Sequence, residues 1–233
     1  LLKNKKTKKL IAYFKIEKIE KLSNLEKYFF KWFGTKDPNH PGYADVLKKG
    51  NFIVSGTPYL VSENNSILSK YELTPNQTRR IFHLKGWSKI IGFHTRNIPH
   101  SGHEYIQKKA YENINADCLF ISPVIGDKKR GDFSSEIILR TYEKLLLSKS
   151  YLEYQSFLSG FNTYSRYAGP REAVFTALCR KNFGCSHFII GRDHTGLKNF
   201  YKPTASIELF DKVETGLKII PSKAWLKANV ALF

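Results

Sequence analysis

Three histidines, an arginine and a glycine lie close together in the short segment 93–104. His100 and His103 are three residues apart, so both would lie on one face of the first turn of a helix that begins there. The free N–H groups and the dipole of a helix N-terminus favour a bound anion. Arg96 adds a planar pair of donors that suits two oxygens of a sulfate, phosphate or carboxylate. The spacing predicts an anion site, in which Gly102 would let a phosphate approach the backbone closely.

A second group of polar residues follows the apolar segment 187–190, where Gly191 precedes Arg192, Asp193 and His194. Polar residues directly after an apolar strand are typical of ligand-binding loops. An arginine at this place can neutralise a triphosphate, and an aspartate can hold a sugar hydroxyl or orient a base. We therefore expect this loop to bind part of the same ligand.

Two further segments allow two interpretations each. In segment 164–173 a helix begins at Pro170 with Arg171 and Glu172 in its first turn, and these side chains either line the same cleft or simply cap the helix. Segment 126–132 follows another predicted strand and carries three adjacent cations, which form either a phosphate-contacting loop or a solvated run of charge: Lys128, Lys129 and Arg130.

The elements that must position these residues begin near residue 74. Thr74, Pro75 and Gln77 form a capping box that opens a helix, which Gly86 can close. Beyond it we predict strands at 89–93, 118–122, 187–191 and 217–220, and helices at 102–113, 134–147 and 171–182. Alternating apolar strands and helices predict an α/β fold with a parallel sheet covered on both faces, which binds ligands at the carboxyl ends of its strands.

The N-terminal part of the chain has a different pattern. Residues 10–22 mix apolar and charged side chains as a strand does, and residues 25–33 form a short amphipathic helix. Two prolines and two glycines in segment 34–42 predict no regular structure there. Segments 51–54 and 58–61 predict a hairpin that turns at residues 55–57. This portion is small and β-rich.

Composition limits the classes of function. The 233 residues include 38 Lys+Arg and 20 Asp+Glu, a formal net charge of +18, which favours anionic partners such as nucleotides, phosphates, sulfate or nucleic acid. Stretches without a charged side chain are far shorter than the roughly 18 residues of a membrane span, so we expect no membrane role. The 3 cysteines lack metal-ligand spacing, which predicts reduced thiols, a cytoplasmic protein and no protein-bound metal.

These segments, taken in chain order, resemble the ATP sulfurylase family of the HxGH nucleotidyltransferase superfamily. The resemblance runs from about residue 71 to 220 and rests on segments 86–87, 93–104, 123–126, 131–132, 166–172, 180–184 and 191–196. It implies a Rossmann-like parallel-sheet nucleotidyltransferase domain at 73–233, C-terminally truncated, with a partial β-rich PUA-like domain before it at 1–72. The motifs depart from the family's pattern at three places: His94 stands where Gln is usual, Ile98-Pro99 where Pro-Leu is usual, and Thr195 where Ala is common.

The resemblance also implies an activity and its residues. The reaction is transfer of AMP from ATP to sulfate in sulfate assimilation, which gives adenosine 5′-phosphosulfate and pyrophosphate, with Mg²⁺ entering on the ATP. The catalytic residues it implies are Thr95, Arg96, Asn97, His100 and His103. These five also contact ATP, together with His94, Gly191, Arg192, Asp193, His194 and Trp225. Sulfate is held by Arg96 and Thr195.

Two other functions remain open at this point. An adenylyltransferase of the same fold could act on another oxyanion or a phosphorylated acceptor. A non-catalytic module could bind nucleic acid or other anions through the positive charge, but no helix-turn-helix or RNA-reading aromatic motif supports it. We therefore expect ATP and sulfate as partners, without nucleic acid or membrane, in a chain compatible with a homo-oligomer.

Overall fold

A computed structural model of the protein describes residues 1–4, 7–61, 68–128, 131–151, 153–191 and 200–222. The chain divides into two units, Leu1–Ser69 and Lys70–Phe233. Among the described residues, no helix combines the length and the apolar character that crossing a membrane requires.

The first unit contains a three-stranded antiparallel sheet and two helices. The strands lie in the order β1-β2-β3, with β1 at Leu2–Lys3, β2 at Leu10–Lys21 and β3 at Phe52–Leu60. Helix α1 (Leu25–Phe33) has Asn24 as its N-cap and ends at Gly34, whose φ of 69° is left-handed. Helix α2 spans Pro41–Leu47. The predicted strand 10–22 and helix 25–33 are confirmed.

Two predictions for this unit are wrong. Segments 51–54 and 58–61 are not the arms of a hairpin, because β3 runs without a turn and pairs along its length with the longer β2. Its central Gly56 lies opposite Ile16 instead of forming a turn. Segment 34–42 also contains regular structure at its end: Pro41 occupies the first turn of α2, and His40 Nδ1 accepts a hydrogen bond from the Tyr43 N–H at 3.1 Å.

The second unit is an α/β fold. A 3₁₀ turn at Ser69–Tyr71 precedes α3 (Pro75–Leu84), β4 (Ile90–Thr95), α4 (Ser101–Ile114), β5 (Cys118–Pro123), α5 (Ser135–Leu146), β6 (Ser156–Leu158), α6 (Pro170–Asn182), β7 (His187–Ile190), α7 (Ala205–Phe210) and β8 (Lys218–Pro221). Each helix and strand predicted beyond residue 74 is present, and the capping box of α3 forms. The sequence did not indicate β6 and α7.

The five strands of this unit form one parallel sheet in the order β6-β5-β4-β7-β8. The central strand β4 pairs with β5 from Ile90↔Cys118 to Thr95↔Pro123, and with β7 on its other side. Because all strands are parallel, their carboxyl ends share one edge of the sheet. The residues after β4, β5 and β7 are thus brought to the same edge.

The three central strands, β5, β4 and β7, are buried on both faces along nearly their whole length. One face of β4 presents Ile91 and Phe93 to a core that includes Ile106 of α4 and Ile138 of α5. The opposite face begins at Ile90, which packs in a second core with Phe82, Cys118, Phe120, Phe183 and Cys185. Side chains along a strand alternate between these faces, so the register of β4 also decides which way its last residues point.

Candidate active site

The end of β4 holds the predicted triplet of site residues. Thr95 is buried, and its hydroxyl oxygen accepts a hydrogen bond from the Asn97 N–H at 3.1 Å. This short turn fixes the backbone at the point where the chain leaves the sheet. Arg96 is half-buried and Asn97 is exposed. The central strand therefore delivers Arg96 and Asn97 to the carboxyl edge, as the sequence predicted.

Arg96 is a half-buried cation without a carboxylate partner among the described residues. Its Nη1 donates to the Tyr167 hydroxyl at 3.0 Å, and its guanidinium carbon lies 5.7 Å from the centre of the Tyr167 ring. A neutral hydroxyl and an aromatic face satisfy part of the guanidinium but do not cancel its charge. This arrangement suits a group that binds an anion.

Lys128 brings a second positive charge close to Arg96. Its Nζ donates to the Val124 carbonyl at 2.6 Å, in the loop after β5. Burial lowers the pKa of Lys128; the Asp132 carboxylate opposes this, and the charge of Arg96 lowers the pKa further. Of the three adjacent cations in this loop, Lys128 is described and is half-buried, whereas Lys129 and Arg130 lie outside the described residues.

The two histidines lie together at the start of α4. His100 is the N-cap, and its Nδ1 accepts from the His103 N–H at 3.4 Å. The two rings are stacked, with centres 3.7 Å apart. A side chain at Gly102 would lie 3.2 Å from the His100 ring, so Gly102 makes room for that ring. The two histidines thus lie together as their spacing predicts, and Gly102 leaves room for the His100 ring.

His103 is held in its neutral form. Burial, followed by the nearby His100 ring, lowers the pKa of His103 from 6.5 to about 4, although a backbone hydrogen bond with Ile98 acts in the opposite direction. The Tyr142 hydroxyl of α5 lies 3.4 Å from His103 Nδ1, and Phe93 contacts the ring edge-on. Near neutral pH, His103 is a neutral imidazole set between an aromatic pocket and the sheet edge.

His94 is oriented by a buried arginine that the spacing of residues did not indicate. Arg180 of α6 is fully buried, and its Nη2 lies 2.7 Å from His94 Nδ1 and donates to the Ser122 carbonyl at 2.9 Å. Because a guanidinium only donates, Nδ1 of His94 is the acceptor and the proton of the neutral ring is on Nε2. The side chain of Arg180 passes beside Gly92, where an added Cβ would lie 3.3 Å from it.

The guanidinium of Arg180 is buried away from water with only part of its hydrogen-bonding capacity used within the described ranges. Its Nε and Nη1 have no hydrogen-bond partner among the described residues, and the ring of Phe161 lies 4.5 Å from the guanidinium carbon. Burial lowers the pKa of Arg180 to about 10, so the group is still charged at neutral pH. A positive charge thus lies beneath the end of the central strands.

At the start of α6, Glu172 has a role that differs from both alternatives that the sequence left open. Glu172 is buried, and its carboxylate accepts from the Arg166 N–H at 2.7 Å and the Ala168 N–H at 3.1 Å. Burial raises the pKa of Glu172, although these backbone hydrogen bonds lower it. Glu172 therefore organises the preceding loop instead of lining a cleft, while Arg171 is exposed.

The second predicted loop is described only at its first residue. Gly191 follows β7 at the carboxyl edge, and no atom of the described residues lies within 4 Å of the position that a Cβ would take. The other predicted site residues of this part of the chain lie outside the described residues: Arg192, Asp193, His194, Thr195 and Trp225. Within the described ranges, no group of three or more His, Cys, Asp or Glu side chains could hold a metal ion.

Comparisons with known proteins agree with this geometry. The family model described as ATP-sulfurylase matches residues 69–226. A sulfate adenylyltransferase of Pyrococcus abyssi is 46% identical over 187 residues, which are 80% of this chain and 48% of that protein. One of Thermococcus onnurineus is 44% identical over 83% of this chain and 51% of its own length. The chain thus spans about half the length of these curated relatives.

A solved structure shares the fold. The hexameric APS kinase from Thiobacillus denitrificans superposes with a TM-score of 0.56 at 20% identity, over 73% of this chain and 32% of that one. At this identity the likeness concerns the fold alone. The family match spans most of the chain, includes the whole parallel sheet and contains the edge that carries Arg96 and the histidine pair. This chain belongs to the ATP-sulfurylase family.

Proposed function

We propose that the protein transfers AMP from ATP to sulfate, giving adenosine 5′-phosphosulfate and pyrophosphate. The observation that carries this proposal is Arg96, a half-buried cation at the end of the central strand whose partner is a neutral tyrosine. Membership of the family and the relatives named sulfate adenylyltransferase support the choice of substrates.

The chemistry of this reaction suits the residues at the sheet edge. A sulfate oxygen forms a bond to the α-phosphorus of ATP, the bond from that phosphorus to the bridging oxygen breaks, and its electron pair leaves with pyrophosphate. Sulfate is fully ionised, so no general base is needed. The protein must instead hold two anions in line and offset their repulsion.

Each charged group at the edge has a place in that task. Arg96 would bind the sulfate, and Asn97 would bind the nucleotide. Lys128 adds positive potential for both anions. It lies close enough to Arg96 that the arginine charge lowers the pKa of the lysine. We infer that His94, with its proton on Nε2, offers a neutral N–H donor to the same site.

The histidine pair would contact the phosphates that become pyrophosphate. Because His100 Nδ1 accepts from the backbone, its Nε2 carries a proton and can donate. His103 is neutral in the free protein, and phosphate charge brought against the stacked rings would favour its protonation. Charge that develops on the leaving oxygen would then be met by a donor already in position.

The remaining assignments rest on the family resemblance. We propose that Gly191, Arg192, Asp193, His194 and Trp225 contact ATP and that Thr195 contacts sulfate. Mg²⁺ would enter bound to the triphosphate as part of the substrate, where it neutralises charge. We also propose that residues 1–72 are part of a PUA-like domain, which the antiparallel sheet of the first unit supports, and that the catalytic domain begins at residue 73.

The test is the substitution Arg96→Ala in the whole protein, measured as sulfate-dependent release of pyrophosphate from ATP. We expect a loss of about 100-fold or more, because the main cation for the nucleophile is gone. Arg140→Ala is the matched control: Arg140 is exposed on α5, pairs with Glu136 and should leave the rate unchanged.

Near-normal activity of Arg96→Ala would refute the proposed function. If the unmodified protein binds ATP and turns over with another oxyanion but not with sulfate, the other oxyanion, and not sulfate, is the acceptor substrate. Assaying sulfate beside other oxyanions therefore separates the two adenylyltransferase hypotheses.

A further inference from the structure

Tyr167 has a backbone conformation that a tyrosine rarely adopts. Its φ is 61°, in the left-handed region, and its side chain is buried. A bulky residue in this region costs free energy, so it persists only where the surrounding structure enforces it. Such positions cluster at functional sites, which makes the contacts of Tyr167 informative.

The loop around Tyr167 is held from two sides. The buried Glu172 carboxylate accepts hydrogen bonds from the backbone N–H groups of Arg166 and Ala168, the residues directly before and after Tyr167. The Tyr201 hydroxyl donates to the Tyr167 carbonyl at 3.1 Å. The next residue but one, Gly169, lies so close to the Tyr201 ring that a Cβ there would be 2.6 Å from it.

This restrained loop contacts Arg96 at the sheet edge through Tyr167. The Tyr167 hydroxyl accepts a hydrogen bond from Arg96 Nη1, and its ring lies beside the guanidinium. Since a guanidinium has five N–H groups, Nε and Nη2 are left as an edge with parallel donors. No described residue accepts a hydrogen bond from that edge, and its geometry fits two oxygens of one anion.

We propose that Tyr167 is a positioning residue for the oxyanion substrate: it fixes the rotation of the Arg96 guanidinium so that the Nε–Nη2 edge faces the anion. Glu172 supports Tyr167 indirectly, because its carboxylate holds the left-handed turn in which Tyr167 lies. This inference rests on the proposed function, which assigns the oxyanion to Arg96. The role proposed for the Tyr167 hydroxyl is to accept from Arg96 Nη1 and so orient the guanidinium that binds the anion.

The first test is Tyr167→Phe, which keeps the ring and removes the hydroxyl. We expect the KM for sulfate to rise about ten-fold, since a hydrogen bond to a charged group is lost, with kcat and the KM for ATP within two-fold of the unmodified protein. Tyr164→Phe is the matched control: that ring lies 4.4 Å from the Arg166 guanidinium and does not contact Arg96, so no kinetic constant should change.

A second readout does not depend on turnover. The ¹⁵N-resolved side-chain signals of Arg96, assigned by their loss in Arg96→Lys, should show restricted rotation in the unmodified protein and faster rotation in Tyr167→Phe. Adding sulfate should shift the Nε–H signal of the unmodified protein at lower concentration than in the variant. Circular dichroism checks that the variant is folded.

The outcomes separate this inference from the proposed function. An unchanged KM for sulfate together with unchanged rotation of Arg96 in Tyr167→Phe overturns the positioning role. Absence of sulfate-dependent turnover in the unmodified protein overturns the proposed function, while the rotation of Arg96 and the sulfate titration still decide whether Tyr167 positions an anion-binding edge. Glu172→Gln should raise the KM for sulfate, and adding it to Tyr167→Phe should raise the KM no further.

Discussion

The stability of the protein should depend on pH through His103. The folded state lowers the pKa of this imidazole from 6.5 to about 4, because burial and the stacked His100 ring disfavour the charged form. Between these two values the unfolded chain binds a proton that the folded chain does not. Stability contributed by neutral His103 is therefore complete above pH 6.5 and decreases as the pH falls toward 4.

The size of the effect follows from the two pKa values. At about 1.4 kcal/mol per pKa unit, the difference between 6.5 and about 4 corresponds to a maximal loss of about 3 kcal/mol below pH 4. At pH 5 the folded group is still mostly neutral and the unfolded group mostly charged, so about 2 kcal/mol is lost relative to pH 8.

The assay is urea unfolding followed by circular dichroism between pH 8 and pH 5, for the unmodified protein and for His103→Gln. Glutamine does not titrate, so the variant should lose about 2 kcal/mol less of its unfolding free energy over this range. His83→Gln, which removes an exposed histidine of α3, is the control and should keep the full pH dependence. Equal pH dependence in His103→Gln and the unmodified protein would refute the account of a buried, neutral His103.

Two further substitutions test the scaffold by urea unfolding at pH 7.5. Gly126→Ala should lower the free energy of unfolding by about 1–3 kcal/mol, because the new Cβ would overlap the backbone carbonyl of Thr163; no loss would show that this loop can move aside. Thr74→Ala should cost about 1 kcal/mol by removing the capping box with Gln77. Thr204→Ala should cost less, because the Thr204 hydroxyl caps no backbone N–H and only donates to the exposed Glu208 carboxylate; equal losses would contradict the capping assignment.

The helices and long strands of the second unit could be predicted because their signals are local. The capping box at Thr74, the N-cap at Ser134 and the apolar runs of β4, β5 and β7 each depend on neighbouring residues. Strand β6 could not be predicted in this way. Its three residues, Ser156–Leu158, are only partly buried and form a strand because β5 offers them a partner.

The same distinction explains the error in the first unit. The glycine and proline of segment 55–58 are typical of a turn, but a strand can contain both when a long partner is available and one side is an edge. Strand β3 has β2 on one side and is the last strand of its sheet on the other. Tertiary pairing therefore overrode the local turn signal.

In the candidate site, too, the residues indicated by the sequence are those with local signals. Arg96, His100 and His103 lie within one segment, so their types and spacing indicated an anion site. The residues that orient them come from far along the chain: Tyr142 is 39 residues from His103, and Tyr167 is 71 residues from Arg96. No spacing rule connects such pairs, since only the folded sheet and its covering helices bring them together.

The capping role of His100 limits how this site can be altered. Nδ1 of its ring caps the N-terminus of α4, and Nε2 is the proposed donor to phosphate. A single side chain therefore serves both the helix and the chemistry. Serine or aspartate would preserve the cap but give up the donor at that reach, and lysine would supply charge but leave the cap empty. Engineering that tunes phosphate affinity at this position must therefore also restabilise the start of the helix.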